Sequence, residues 1–252
     1  MITKRYHFDV LDSTNIKAKE LAQQGCAHGT LITADAQEAG VGRRGRSWSS
    51  EKGTGIYMSV ILRPQIETER VSMLTLVAAL AIAKAMEQMG VYDSQIPCIK
   101  WPNDLVLHKK KICGILTELT LLGTEIDYVI IGVGVNVSNQ RFPEEIKETA
   151  SSILLETGQH IDREELIAKV WSCFETYYDL FLQTQDFTLL KKEYETYLIN
   201  KHQKVMVLDP LGNYEGIAIG ITNKGELIVD TGAEQKIVSS GEVSVRGIYG
   251  YV

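Results

Sequence analysis

"KWPNDLVLHKKKICGILTELTL", residues 100–121, holds two apolar runs separated by a basic break, and the rest of the chain can be read outward from it. "DLVLH" and "KKICGILTELTL" have the β-branched and leucine content of strands, and "HKK" reads as the hairpin turn between them. "CIKW" before them and "IDYVIIGVGVNV" after them are strand-like as well, so this region predicts a central sheet. Its strand ends concentrate functional groups. Lys100, Trp101, Pro102, Asn103 and Asp104 place an ammonium, an indole, a rigid ring, an amide and a carboxylate where two strands meet. Trp101 could stack on a flat heterocycle, and Asp104 could accept a proton or bind a metal. Each also has a simpler account: Trp101 as core, Pro102 and Asn103 as turn residues, Asp104 as a turn cap. Lys111 enters an otherwise apolar strand beside Gly114, and an exposed strand-end lysine would explain it equally well.

Toward the N-terminus, "RYHFDV" reads as a strand. "DSTNIKAKELAQQG" follows as a helix with Ser13 or Asp12 as N-cap and Gly25 as its stop. "TLITAD" (30–35) and "GIYMSVILR" (55–63) are further strands. Glu69 to Met89 has an amphipathic helical pattern, with Leu74, Val77, Ala78, Ala81 and Ala85 on one face and Gly90 at the C-cap. Toward the C-terminus, "DREELIAKVWSCFETYYDLFLQ" and "FTLLKKEYETYLI" are helices. From His202 the pattern changes to short strands, "KVMVLD", "YEGIAIGI", "ELIVD", "KIVSS" and "EVSVRG", broken by turn residues, which predicts a small barrel or sandwich. The expected organisation is a domain over residues 1–200 and a small β domain over 201–252.

The bulk properties restrict the function classes. At 252 residues and 44% hydrophobic, the chain can bury a full core. A formal net charge of −6 weighs against polynucleotide binding, which needs a broad basic face. Cys26, Cys98, Cys113 and Cys173 form no C-x-x-C pair, which fits buried thiols in a reducing compartment. The N-terminus lacks an apolar signal core, and "LTLVAALAIA" (74–83) is about half a membrane span. The expectation is a cytoplasmic protein with no membrane and no nucleic-acid partner. The sequon at Asn136 is read as accidental.

"QEAGVGRRGRSW" (37–48) satisfies G-x-G-x-x-G through Gly40, Gly42 and Gly45. A dinucleotide fingerprint also needs a helix opening at those glycines, so that its amides face a pyrophosphate. Here "RSWSSEKGTG" follows, without helical period, and the ribose-binding acid expected about 20 residues on is missing from "VILRP". No P-loop, H-E-x-x-H or G-x-S-x-G occurs. What remains is flexible backbone with open N–H groups beside Arg43, Arg44 and Arg46, a composition suited to an anion. A solvated loop with weak salt bridges is the alternative, and the glycine density counts against it.

"DSTN" (12–15), "QEAGVGRRGRSW", "KWPNDL", "KICGILTEL" (111–119), "IGVGVNV" (131–137) and "ASSI" (150–153), in this order and spacing and followed by a small β domain, resemble the biotin protein ligases across nearly the whole chain. The resemblance implies an α+β fold. A mixed sheet flanked by helices, like the class II aminoacyl-tRNA synthetase catalytic domain, would precede a C-terminal SH3-like β-barrel. It implies a two-step reaction: ATP and biotin give biotinyl-5′-AMP and pyrophosphate, and a carrier-protein lysine then displaces AMP. Carried over, it puts Ser13, Thr14, Asn15, Gln37, Gly42, Arg43, Lys111 and Gly114 around biotin. Arg44, Arg46, Trp48, Lys100, Asn103 and Asn136 fall on the ATP or adenylate side. Lys111, Arg43 and Asp104 are the implied catalytic set, with Asp104 steering or deprotonating the acceptor lysine. Mg²⁺ is expected with ATP, without a dedicated protein metal site. The partner would be the biotin carboxyl carrier domain of a biotin-dependent carboxylase, and the enzyme a monomer or homodimer. Two departures stand out: Val41 replaces a usual loop arginine, and "DSTN" begins too early for an N-terminal DNA-binding domain, so a monofunctional ligase is expected. A lipoate or octanoate ligase of the same fold, or a non-catalytic biotin-binding protein, are the competing readings.

Overall fold

The structure, a computed structural model, describes residues 2–240, 244–247 and 251–252. Seven strands form one sheet: β1 (Lys4–Leu11), β2 (Thr30–Gln37), β3 (Gly55–Leu62), β4 (Cys98–Lys100), β5 (Asp104–Leu107), β6 (Lys110–Leu122) and β7 (Glu125–Asn136). Their spatial order is β1-β2-β3-β7-β6-β5-β4, with β1 parallel to β2 and every other pair antiparallel. The expected mixed sheet is therefore present. Every residue of β3 is buried, because both faces of the sheet centre are covered; a strand in that position reads as a continuous apolar run instead of alternating.

Helix α1 (Thr14–Gln23) packs Ala18, Leu21 and Ala22 onto Ile32, Ile61, Tyr128 and Ile130 of one face. It ends at Gly25, whose φ of +85° suits a residue without a side chain. Helix α2 (Met73–Gln88) lies against the opposite face, with α4 (Arg163–Thr184) packed outside it. The single apolar face expected for α2 was too narrow. Met73, Leu76, Ala79, Leu80, Ile82 and Ala83 are buried too, because the helix has sheet on one side and helix on the other. By length and composition Thr68–Gln88 could cross a membrane, but 72% of its most apolar window is buried within the protein, as in a core helix.

His108 and Lys109 turn the β5–β6 hairpin with φ of +48° and +66°, the left-handed pair that a two-residue hairpin favours. A short helix that the sequence reading missed, α3 (Ile153–Thr157), is capped by the Ser152 hydroxyl, which accepts from Leu155 N–H at 3.2 Å. Helix α5 (Lys191–Tyr197) precedes a second, antiparallel sheet. Its strands are β8 (Lys204–Leu208), β9 (Tyr214–Ile221), β10 (Leu227–Asp230), β11 (Gln235–Val238) and β12 (Ser244–Gly247), ordered β11-β10-β9-β8-β12, the expected SH3-like C-terminal sheet. Glu242 and Val243 of the anticipated last strand lie outside the described residues.

Trp101 decides between two of its readings. It is 1% exposed, its indole N–H donates to the Gly225 carbonyl at 2.9 Å, and its backbone N–H donates to Asn200 Oδ1 at 2.8 Å. It is a core residue joining the two sheets, not a platform for a ligand. All four cysteines are free; Cys113 and Cys173 are buried as expected, whereas Cys26 and Cys98 are only half-buried.

Candidate active site

Two joined chambers lie beside the middle of the large sheet. The first is a narrow slot of about 50 Å³ whose floor is formed by glycines. On adjacent strands, Gly114 of β6 pairs with Gly134 of β7, and Gly132 of β7 pairs with Ser59 of β3. A β-carbon on Gly132 would run into the Asn15 side chain, and one on Gly134 would come 2.5 Å from the Trp48 ring. Glycine interrupts these apolar strands because other groups approach the backbone closely.

Neutral side chains from the start of α1 close the end of the slot. Ser13, Thr14 and Asn15 are buried. Gln37 Oε1 accepts from the Thr14 backbone N–H at 2.8 Å and from its hydroxyl at 3.0 Å, while Gln37 Nε2 donates to Ser50 Oγ at 2.9 Å. Ser59 Oγ lies 2.8 Å from Thr14 Oγ1 and 2.6 Å from Asn15 Oδ1. Asn15 Nδ2 donates to Glu118 at 2.7 Å, and Lys19 balances that carboxylate at the same distance. Thr14, Asn15, Gln37 and Ser59 are each held by another group, so much of the hydrogen-bonding pattern is set before a ligand arrives.

The glycine–arginine loop forms the slot's edge. Val41 bridges to Ser47, the Gly42 N–H donates to Arg46 O at 2.7 Å, and the Trp48 N–H donates to Gly40 O at 2.8 Å. The loop is thus a small hairpin whose tip, Arg43–Gly45, takes a 3₁₀ turn with φ of +58° at Arg44 and +70° at Gly45. No α-helix opens at these glycines, so the dinucleotide reading fails on structure as well as on sequence. Arg43 donates to Asn103 Oδ1 at 2.8 Å and to the Ser240 carbonyl of the C-terminal region.

Lys111 reaches the site through an irregularity of β6. Leu105 pairs with Cys113 but Val106 pairs with Lys111, leaving Ile112 as a bulge. In a regular strand, residues three apart face opposite sides. The bulge brings the Lys111 ammonium over Gly114, 3.1 Å from where a β-carbon would lie. Both main-chain groups of Lys111 are tied to the 149–151 segment, at the start of "ASSI": its N–H donates to Thr149 O at 2.8 Å, and its carbonyl accepts from Ser151 N–H at 2.9 Å. Its ammonium sits 2.6 Å from Asp104 Oδ1, with the two side chains 25% and 13% exposed. It is not a solvated strand-end lysine.

The second chamber, about 580 Å³, opens from the first across Gly42, Arg43, Trp48, Asn103 and Lys111, which line both. Arg44, Arg46, Lys100 and Arg246 add positive charge to its wall, against the carboxylates of Asp104 and Glu145. Lys100 is only 6% exposed, and burial lowers its pKa to about 8, with Asp104 opposing the shift and Lys111 adding to it. Burial pushes the Asp104 carboxyl up, but Lys111, the Tyr251 hydroxyl and Lys100 outweigh it and hold it below the usual carboxylate range. Asn136 is buried at the end of β7, its amide donating to the Ser151 carbonyl at 2.9 Å, and it too lines this chamber.

The residues singled out from the sequence therefore converge. Ser13, Thr14, Asn15, Gln37 and Gly114 line the slot, while Arg44, Arg46, Lys100, Asp104 and Asn136 line the larger chamber. Trp48 belongs to both and not to the nucleotide side alone, and its buried indole N–H has no hydrogen-bond partner among the described residues. Sequence reasoning missed Ser59, Glu118, Ser240, Arg246 and Tyr251. Gly132 and Gly134 carried a readable signal, two glycines inside a β-branched run, whereas the others carried none locally. A grouping of His7, Asp9 and Asp35 on β1 and β2 brings possible metal-ligand atoms within 4.8 Å of one another, but Arg163 lies 3.5 Å from Asp35, a poor neighbour for a cation.

Residues 7–136 match the Biotin/lipoate A/B protein ligase family, and residues 203–246 match the Biotin protein ligase C terminal domain. The chain is 38% identical over 242 residues to the bifunctional ligase/repressor BirA of Bacillus subtilis, across 95% of this chain and 73% of that one. It is 30% identical over 239 residues to a biotin–[acetyl-CoA-carboxylase] ligase of Paracoccus denitrificans, across 94% of this chain and 98% of that one. Among solved structures, a biotin protein ligase from Aquifex aeolicus in complex with biotin and ATP aligns at a TM-score of 0.85 and 31% identity, covering 97% of this chain and 99% of that one.

Proposed function

The chain belongs to the biotin/lipoate A/B protein ligase family, and we propose that its two chambers hold the two substrates of an ATP-dependent biotin ligation. Biotin is activated to biotinyl-5′-AMP with release of pyrophosphate, and the biotinyl group then passes to a lysine of a carrier protein. The observation that carries the reading is the junction: a neutral, hydrogen-bonding slot opens at Lys111 into a cationic chamber. Biotin has a neutral ureido ring at one end and a carboxylate at the other, which fits such a polarity. Ser13, Thr14, Asn15 and Gln37 face the ring, and the glycine floor accepts its flat bicycle.

In the first step a carboxylate must approach an α-phosphate, and both are anionic. Lys111 and the Arg43 guanidinium offset the repulsion and stabilise the charge that develops on the transferring phosphoryl. Arg44, Arg46, Trp48, Lys100, Asn103 and Asn136 hold the nucleotide. Mg²⁺ accompanying ATP would supply neutralisation of phosphate charge. Of the two carboxylates on the chamber wall, Asp104 is already engaged by Lys111 and Tyr251, so Glu145 is the one that would meet it.

In the second step the acceptor nitrogen attacks the biotinyl carbonyl carbon, a C–N bond forms, and the C–O bond to AMP breaks. An ordinary lysine, with a pKa near 10.4, loses its proton to water at pH 7 at a cost of about 5 kcal/mol. A carboxylate held below its usual range, as Asp104 is, is a still poorer acceptor for that proton. Asp104 therefore serves to steer and anchor the incoming ammonium more than to deprotonate it. The acceptor is the biotin carboxyl carrier domain of a carboxylase, and the boundary between the catalytic and C-terminal domains falls near residue 200.

Biotin-dependent exchange of pyrophosphate into ATP tests the reading. Exchange with biotin, and at least tenfold less with lipoate or octanoate, is expected. Preference for either of those acids would favour the sister activity, and biotin binding without exchange would indicate a non-catalytic binder.

A further inference from the structure

Asp104 is engaged on both oxygens. Lys111 lies 2.6 Å from Oδ1 and the Asn103 amide donates to the same oxygen at 3.2 Å, while the hydroxyl of Tyr251 donates to Oδ2. Tyr251 lies 147 residues downstream of Asp104, beyond every motif of the site. The Lys100 ammonium sits 3.5 Å above its ring centroid, so the ring is fixed by a cation on its face as well as by the hydroxyl. Burial and the nearby Asp104 charge raise the phenol pKa well above its ordinary value, so the hydroxyl stays a donor into the alkaline range.

Resting on the ligase reading above, we propose that Tyr251 is a specificity-determining residue of the transfer step, because its hydroxyl occupies the position on Asp104 Oδ2 that an acceptor ammonium must take. A phenol–carboxylate hydrogen bond is charge-assisted and among the stronger ones. A carrier protein gains enough contact elsewhere to displace it, whereas a small free amine brings no such binding energy. The adenylate is thereby reserved for acceptors that dock.

Transfer from biotinyl-AMP to Nα-acetyl-lysine, with biotin-dependent exchange measured on the same samples, tests this. Y251F removes only the hydroxyl; Y251A also removes the ring beneath Lys100. The ratio of small-amine transfer to exchange is expected to rise several-fold in Y251F and further in Y251A, while carrier transfer gains less. A purely structural tyrosine would move both rates together, and an unchanged or lower ratio in Y251F overturns the proposal whatever the fate of Y251A. Lack of biotin-dependent exchange in the unsubstituted enzyme would overturn the ligase reading and this inference with it; normal exchange with an unmoved ratio overturns this inference alone.

Discussion

The slot and the chamber share Lys111 but are made of different materials. Glycines of two paired strands and neutral side chains at the start of α1 build the slot, with Thr14 and Asn15 bonded to Gln37 and Ser59 before any ligand enters. Arginines and lysines from a surface loop, from strand ends and from the C-terminal sheet build the chamber. The first recognises shape and hydrogen-bond direction, which a sheet can fix. The second recognises charge, which tolerates movement but responds to pH and salt. A ligase of this kind must hold a neutral ring rigidly while releasing pyrophosphate and AMP, and the two materials suit the two tasks.

The largest expected effect breaks the slot alone. Gly132→Ala puts a methyl group into the Asn15 side chain, which is pinned between Ser59 and Glu118 and has little room to yield. Overpacking of this order costs about 2 kcal/mol, or roughly 30-fold in the KM for biotin. The KM for ATP should stay within about twofold; an equal rise in both would show that the chambers are not separable.

A smaller effect separates the chamber by pH. Phosphate favours the charged form of Lys100, whose pKa is about 8 in the free protein. ATP affinity should therefore be flat below about pH 8 and fall as pH rises through it, with biotin affinity unaffected. Lys100→Arg should remove the dependence, since guanidinium stays charged. For folding the sign is opposite: Lys100 titrates lower in the folded than in the unfolded chain, so its contribution to stability rises with pH between about 8 and 10.4. A KM for ATP that is level to pH 9 would remove Lys100 from the nucleotide site.

The smallest effect sharpens the boundary. Val41 lies 45% exposed on the loop beside the slot, where the resemblance to the ligases led to the expectation of an arginine. Val41→Arg adds a cation near the adenylate, and a two- to fivefold slower escape of biotinyl-AMP, read from labelling of bystander proteins, is expected on the scale of about 0.5–1 kcal/mol for one added exposed charge. No change in labelling would mean that Arg44 already supplies what Val41 lacks.

The strands and the β5–β6 hairpin were legible because alternation and turn chemistry are local. So was the anion-suited composition of the glycine–arginine loop, whereas the neutral triplet after β1 was placed at the site only by the resemblance to the ligases. The all-round burial of α2 was not, since its small residues give the same periodicity whether one face or two are covered. Nor was the fate of Trp101, whose indole suits a ligand or a core equally until Gly225 is seen beside it.

Lys111 marks the division most clearly. That a lysine stands in an apolar strand within a recognisable motif is written in the order of the residues. Its direction comes from the fold, because the bulge at Ile112 turns it onto the face of Gly114, and the 149–151 segment then holds its backbone there. The same holds for Ser240 and Tyr251, which approach Arg43 and Asp104 from 197 and 147 positions away. Side-chain period and turn chemistry are written within a few residues, whereas a hydrogen bond spanning 147 positions exists only once the sheets have packed.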